Sequence, residues 1–295
     1  MDQQLLIFVT VAERQNFSRA AEELHMTQPS VSQYVQALER SLGTRLLDRN
    51  NKYVRLTKAG EIVYHHAKEI LHLSARMRNM VDELINVPSG ELSIGASYTF
   101  GEYVLPHAIA RLRETYPLIK PSIIIHNTTE IVELVVKREL DVGIVEGDYR
   151  HEKAVFEPFG DDQMYLIVSA NHRLAQKPNL SAGDLQGETW IVREKGSGTR
   201  EATEKMFASL SLSPAHIMEF GSNQIIKESV EAGLGISFLS YYAIRKELLL
   251  GTLHLLPYPG IPITRTFSLV TQANALQTKA LAVFLDLLRS MDRLT

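Results

Sequence analysis

Apolar residues recur at helical spacing through the first eighty-odd positions. Leu5, Phe8, Val9 and Ala12 sit at i, i+3, i+4 and i+7, one face of a helix. Asn16-Phe17-Ser18 interrupts that face, and Ser18 is the expected N-cap of a short helix from Arg19 to Leu24. Its small Ala20 and Ala21 allow another helix to pack closely. After the turn His25-Met26-Thr27, Thr27 is placed to cap a third helix. Pro29 then falls in its first turn, where a missing N–H costs nothing. Val31, Val35, Leu38 and Leu42 form its buried stripe, and Gly43 stops it.

From Thr57 to about Ile85 there is no proline, and Gly60 is the one glycine. Val63, Ala67, Ile70, Ser74, Met77, Val81 and Leu84 alternate spacings of four and three, a coiled-coil seam. Such a helix is ~43 Å long. The narrow stripe suits a partner helix better than a globular face, so a dimerisation stalk is expected over a helix lying on its own domain. Asn86-Val87-Pro88-Ser89-Gly90 follows as a hinge.

Beyond the hinge the pattern changes to α/β. Strands are predicted at Leu92–Ala96, Pro121–His126 and Asp141–Val145, separated by helices from Leu105 to Tyr116 and from Glu130 to Leu140. That alternation predicts βαβ units and a parallel sheet. A second set has strands at Met164–Val168 and Thr189–Val192, and helices at Thr199–Leu210 and Gln224–Ala232. A strand-like Gly233–Leu239, a strand at Thr266–Val270 and a last helix from Thr278 to Arg293 complete it.

Composition narrows the class. The chain has 295 residues, is 45% hydrophobic and 22% charged, and carries a formal net charge of −3. This is ordinary globular composition for about two domains. No apolar run approaches the ~20 residues that span a bilayer, so no membrane partner is expected. The opening lacks a basic n-region and a small-residue cleavage site, which argues against a signal peptide. The absence of cysteine excludes disulfides and thiolate chemistry and fits a cytoplasmic protein. The small net charge hides an asymmetry. Arg40, Arg45, Arg49, Lys52, Arg55 and Lys58 face one acid, Asp48, a net +5 over 19 residues.

That basic stretch follows a helix whose outer face is unusual. Opposite the buried stripe stand Pro29, Ser32, Gln33, Gln36 and Arg40, with no lysine and no glutamate. Short hydroxyls, amides and a guanidinium can meet base edges and phosphates in a major groove without steric block. The arrangement is a winged helix-turn-helix, with residues 45–58 as a basic wing on the adjacent backbone. The DNA-facing candidates are Ser18, Arg19, Thr27, Gln28, Pro29, Ser30, Ser32, Gln33, Gln36, Arg40, Arg49 and Lys52. The plain alternative is a solvated polar face.

In the α/β part, the strand-to-helix turns are rich in hydroxyls and amides. They are Ser97-Tyr98-Thr99-Phe100-Gly101, Asn127-Thr128-Thr129-Glu130, Arg193 to Glu201, and Ser222-Asn223-Gln224. Free N–H groups at such helix starts attract anions, and open α/β sheets bind ligands there. The effector candidates are Ser97, Thr99, Phe100, Thr128, Thr129, Glu146, Gly196, Ser197, Gly198, Thr199, Arg200, Asn223 and Gln224. Arg200 is placed either to grip an anion or to pair with Glu204 at i+4. Glu146 and Asp148 would limit the pocket or reject a second negative charge. Asp161-Asp162 is a carboxylate pair at an expected crossover. The histidines have no metal-ligand spacing, and His65, His66 and His72 are expected on the stalk surface. No nucleophile setting, dinucleotide fingerprint or P-loop occurs, so neither enzyme, metal nor cofactor is expected.

Several of these segments together resemble one family. Phe17-Ser18-Arg19-Ala20-Ala21, Leu24 to Ser32, Leu38-Glu39, Leu42-Gly43, Leu46-Leu47-Asp48-Arg49 and Leu56-Thr57-Lys58-Ala59-Gly60 resemble the DNA-binding domain of LysR-type transcriptional regulators. The family often has Phe where Leu47 stands and one more basic residue in the wing. The resemblance implies residues 1–58 as the DNA-binding domain, 59–90 as linker helix and hinge, and 91–295 as an effector domain. That domain resembles type 2 periplasmic binding proteins. It has lobe I at about 91–160 and 266–295, lobe II at about 161–265, and crossovers near 160 and 265. It further implies a homodimer or tetramer, promoter DNA and RNA polymerase as partners, and a cytoplasmic, nucleoid-associated setting. Glu194 to Arg200, Ser97 to Pro106 and Ser222-Asn223-Gln224 are similar to the branch of sulfur-assimilation and Calvin-cycle activators, whose effectors are anionic metabolites.

Overall fold

The computed structural model describes residues 2–49, 53–85, 88–273 and 277–291. They form two units, Met1–Ile85 and Asn86–Thr295.

In the first unit, α1 (Asp2–Arg14), α2 (Phe17–Glu23) and α3 (Gln28–Leu42) precede a hairpin of β1 (Leu47–Arg49) and β2 (Val54–Leu56), then α4 (Lys58–Ile85). Phe8, Val11, Ala20, Val31, Val35 and Leu46 are fully buried in one core. Two expectations fail locally. The N-cap of α2 is Asn16, whose side chain accepts from the backbone N–H groups of Ser18 and Arg19. The Asn16 side chain reaches both amides, which sets the helix start two positions earlier than a Ser18 cap would. Leu42 is exposed, because the buried stripe of α3 ends at Leu38 before Gly43 turns the chain at φ +69°.

The start of α4 is fixed by close contact. Thr57 Oγ1 accepts from Gly60 N at 2.9 Å and donates to Arg45 O at 2.8 Å. A Cβ on Gly60 would lie 2.0 Å from Leu46 O, so the helix abuts the wing there. The seam of α4 divides. Ala67 is buried in the unit's own core and Val63 packs against it. Ser74 donates to Asp2 of α1 at 2.9 Å. Ile70, Met77 and Val81 remain exposed, and the side chain of Leu84 lies outside the described residues. Its first part therefore packs within the unit, contrary to a stripe reserved for a partner. His65 and His66 are exposed beside Glu69, whereas His72 is half-buried.

In the second unit, β3 (Gly90–Ser97) lies parallel to β4 (Ile119–His126) and to β5 (Val142–Glu146). Helices α5 (Tyr98–Tyr103), α6 (Leu105–Thr115) and α7 (Thr128–Val136) connect them. The chain then runs along β6 (Ala154–Ser169) through α8 (Ala182–Gln186), β7 (Thr189–Arg193), α9 (Gly198–Ser209), β8 (His216–Phe220) and α10 (Asn223–Glu231). It continues through β9 (Ser237–Ser240), α11 (Tyr241–Leu250) and β10 (Leu253–Leu255), returns along β11 (Ile263–Gln272) and ends on α12 (Lys279–Ser290). The sheet order is β10-β6-β11-β5-β3-β4, with β9 also on β6, and β7 pairs with β8 separately.

The first three strands of this unit are parallel, as their βαβ spacing predicts, and the long strands β6 and β11 make the sheet mixed. β6 and β11 pair antiparallel from Met164↔Ile263 to Ala154↔Gln272, with a register shift at Phe267/Ser268. One strand leads out and the other leads back, so they must run oppositely. α5, α8, β8, α11 and β10 had no sequence prediction. α7 ends four residues before the predicted Leu140, as Arg138 turns to φ +62°.

Candidate functional site

The outer face of α3 is presented as the periodicity predicts. Thr27 caps the helix, accepting from Ser30 N at 3.4 Å, and its hydroxyl meets Ser30 Oγ at 2.9 Å. Thr27, Gln28, Pro29, Gln33, Gln36 and Arg40 are exposed, and Ser30 and Ser32 are half-buried. Ser18 and Arg19, at the start of α2, are exposed as well. The face is held rigidly from behind: Glu39 Oε1 accepts from Leu46 N at 2.9 Å and Leu47 N at 3.2 Å, locking α3 to the wing. Arg49 ends β1, and Lys52 lies outside the described residues.

The effector candidates separate into three groups. Thr128, Thr129, Gly196, Ser197, Gly198 and Arg200 line a cavity of about 380 Å³, together with Asp148, Tyr149, Lys195, Glu201 and Glu204. Gly196 takes φ +88°, a conformation glycine adopts without strain. At Gly198 a Cβ would lie 2.2 Å from Glu146 O, so α9 starts directly against the end of β5.

Ser97, Thr99, Glu146, Thr199 and Asn223 instead belong to a buried network centred on Arg265 of β11. The Arg265 guanidinium donates to Asp162 Oδ2 at 2.8 Å and to Thr199 and Thr99 Oγ1, both at 3.0 Å. Glu146 Oε1 lies 3.6 Å from it, and Ser97 donates to the other Glu146 oxygen. Ser240 donates to Asp162 Oδ1 at 2.6 Å. Asn223 donates to Thr99 at 3.3 Å and accepts from Arg193 at 3.2 Å. Burial pushes the Asp162 carboxyl up, against the pull of Arg265 and Ser240.

Phe100 and Gln224 stand apart. Phe100 is fully buried, with its ring 5.2 Å from Phe267 and 5.6 Å from Phe159, so it is core. Gln224 is exposed and donates to Glu228. Arg200 takes the second of its two expected roles, bonding Glu204 at 2.7 Å and Glu219 at 2.8 Å. Arg265 and Arg193 were missed. The alternation Ile263-Thr264-Arg265-Thr266-Phe267 is the signal that puts Arg265 on the inner face. Arg193, 1% exposed, sits over the Tyr98 ring at 4.3 Å and pairs with Glu194.

A helix-turn-helix unit and a mixed α/β unit with a buried polar network beside a cavity are the parts of a ligand-responsive regulator, and comparison places the chain in its class. Residues 3–61 match the bacterial regulatory helix-turn-helix protein family, lysR type, and residues 86–293 match the LysR substrate binding domain. The chain belongs to the LysR family of transcriptional regulators. It is 36% identical over 286 residues to the HTH-type transcriptional regulator CysL of Bacillus subtilis, covering 97% of this chain and 96% of that one. It is 31% identical to a probable RuBisCO transcriptional regulator of Cyanophora paradoxa, covering 98% and 91%. The structure of the Synechocystis PCC6803 CcmR regulatory domain in complex with 2-PG aligns at TM-score 0.63 and 30% identity, over 68% of this chain and 97% of that one.

Proposed function

We propose that this LysR-type regulator activates promoters through the exposed face of α3 and senses a small anionic metabolite at the 380 Å³ cavity. The observation that carries the DNA half is a polar face of serine, glutamine and arginine on a helix braced from behind by Glu39. The proposed DNA contacts are Ser18, Arg19, Gln28, Ser32, Gln33, Gln36 and Arg40. Arg49 and Lys52 are assigned to the wing on sequence alone. The lobes at about 91–160 with 266–295 and at 161–265 are kept as proposed, with β6 and β11 as the crossing strands. The exposed Ile70, Leu73, Met77 and Val81 of α4 supply an apolar stripe for a homodimer, and tetramers follow as pairs of dimers. No helix among the described residues is long and apolar enough to cross a membrane. We assign the chain to the cytoplasm, on nucleoid DNA beside RNA polymerase, as a regulator and not a catalyst.

The relatives favour two regulons. Likeness to CysL favours sulfur assimilation, and likeness to RuBisCO regulators and to the CcmR domain with 2-PG favours a carbon metabolite. Thermal stability of the full chain against sulfate, sulfite, thiosulfate, O-acetylserine, citrate, phosphoenolpyruvate and NADPH separates them. A true effector at about 100 times its Kd adds roughly 2.7 kcal/mol. Ser197→Ala, at the cavity, should abolish that gain. A flat response across the panel would defeat the anion reading.

A further inference from the structure

The wall between the 380 Å³ cavity and its neighbour of about 280 Å³ holds a carboxylate in what is built as an anion cradle. Glu201, in the first turns of α9, lines both cavities. Its two oxygens lie 3.2 and 3.0 Å from Asp148 N, which donates to them, and Lys205 Nζ is 2.7 Å away. Gly147 takes φ +101°, and a Cβ there would come within 2.6 Å of Glu201 Oε2. The missing side chain is what lets the carboxylate reach the amide. Lys205 also pairs with the Asp148 carboxylate and holds it below its usual range. A backbone amide, an ammonium and a side-chain-free position together recognise any carboxylate-sized anion.

Charge on the two sides differs. The larger cavity sets Asp148, Glu201 and Glu204 against Lys195 and Arg200. The smaller sets Arg150, Lys205 and Arg265 against Asp148 and Glu201. With Glu201 withdrawn, the smaller side keeps Arg150 and Lys205 against Asp148, and Arg265 stays paired with Asp162. Withdrawal is easy, because the side chains of Asp148, Lys205 and Glu201 are 73%, 55% and 32% exposed and such pairs contribute little.

We propose that Glu201 is a built-in stand-in for the effector's anionic group. A carboxylate or oxyanion of the effector takes its place at Asp148 N and Lys205, and thereby replaces the direct tie of Glu201 between α9 and the loop after β5 with one through the bound anion. This rests on reading the cavity as the effector site, and it adds where the anionic group goes and what moves. The chain carries its own reporter. Trp190, the one tryptophan, is fully buried with its ring 4.7 Å from Phe207 of α9.

The test titrates formate, against chloride at matched ionic strength, into the full-length chain and into Glu201→Ala, following Trp190 emission. Emptying the cradle should make formate saturate at a roughly fivefold lower concentration than in the native chain. Glu201→Ala combined with Lys205→Met should lose the response. Glu201→Gln, nearly the same shape, serves if the alanine variant does not fold, and should show the same direction. Equal formate responses in native and variant chains, or a response that survives loss of Lys205, overturns the proposal. Formate reports the cradle whichever metabolite is sensed. A saturable formate response with a silent metabolite panel would therefore fail the panel's reading and not the cradle. A panel hit bound equally by native chain and Glu201→Ala would do the reverse.

Discussion

The outer face of α3 and the interior of the α/β unit both carry polar side chains, but they use them in opposite ways. On α3, Gln28, Gln33 and Gln36 point outward from a helix fixed by its cap and by Glu39. Around Arg265, each polar group is turned onto another of the same chain. A face that reads DNA keeps donors and acceptors available on a rigid frame. Where polar groups are already satisfied by one another, as around Arg265, any ligand would have to compete with resident groups, and such competition couples binding to movement.

The largest expected effect tests how complete the internal pairing is. Asp162→Ala leaves Arg265 buried beside a lost partner and should cost about 3–5 kcal/mol in urea unfolding. A loss under about 1 kcal/mol would mean that Glu146 and the hydroxyls suffice without it. Next comes the rigidity of the DNA-reading frame. Gly→Ala inside a helix ordinarily gains about 1 kcal/mol. At Gly60 the new Cβ meets the Leu46 carbonyl, a backbone atom with no room to yield. Gly60→Ala should therefore destabilise by about 1–3 kcal/mol. A raised Tm would show that α4 does not rest on the wing.

The smallest effect lies at the open edge of the α/β unit. Lys205 lowers the Asp148 carboxyl from its ordinary 3.8. A lowered carboxyl stabilises above its unfolded value and loses that contribution as pH falls below it. Asp148 is 73% exposed, so solvent screening keeps the effect well under about 1 kcal/mol. Asp148→Asn should therefore cost a little at pH 7, and that cost should shrink as pH falls below 3.8 and the native carboxyl protonates, which flattens the acid limb slightly. An equal loss at pH 7 and pH 3 would show that the Asp148 carboxylate does not act through its charge.

Much of this was legible where one periodicity acts alone. Val31, Val35 and Leu38 marked the buried side of α3, and that fixed the outward side. The Thr27 cap was readable because a capping side chain acts within its own turn. Arg265 was not read, although alternation pointed inward, because a buried cation needs partners that sequence cannot pair with it. Asp162 lies 103 residues away and Thr99 lies 166 away. Phe100 was misassigned for a related reason. It sits among ligand-type residues in sequence, but the rings of Phe159 and Phe267 claim it. β8 carried no core signal, since four of its five residues are exposed.

The most direct test is sequence discrimination by α3. DNA ligands selected by the full-length chain from a random pool would be titrated at fixed salt with the native chain and with Gln33→Ala. A glutamine paired to a base edge is worth ~1–3 kcal/mol of discrimination. Affinity for the selected site should fall about tenfold or more, with affinity for scrambled DNA unchanged. An equal fall on both DNAs, or none on either, would contradict the assignment of this face to base recognition.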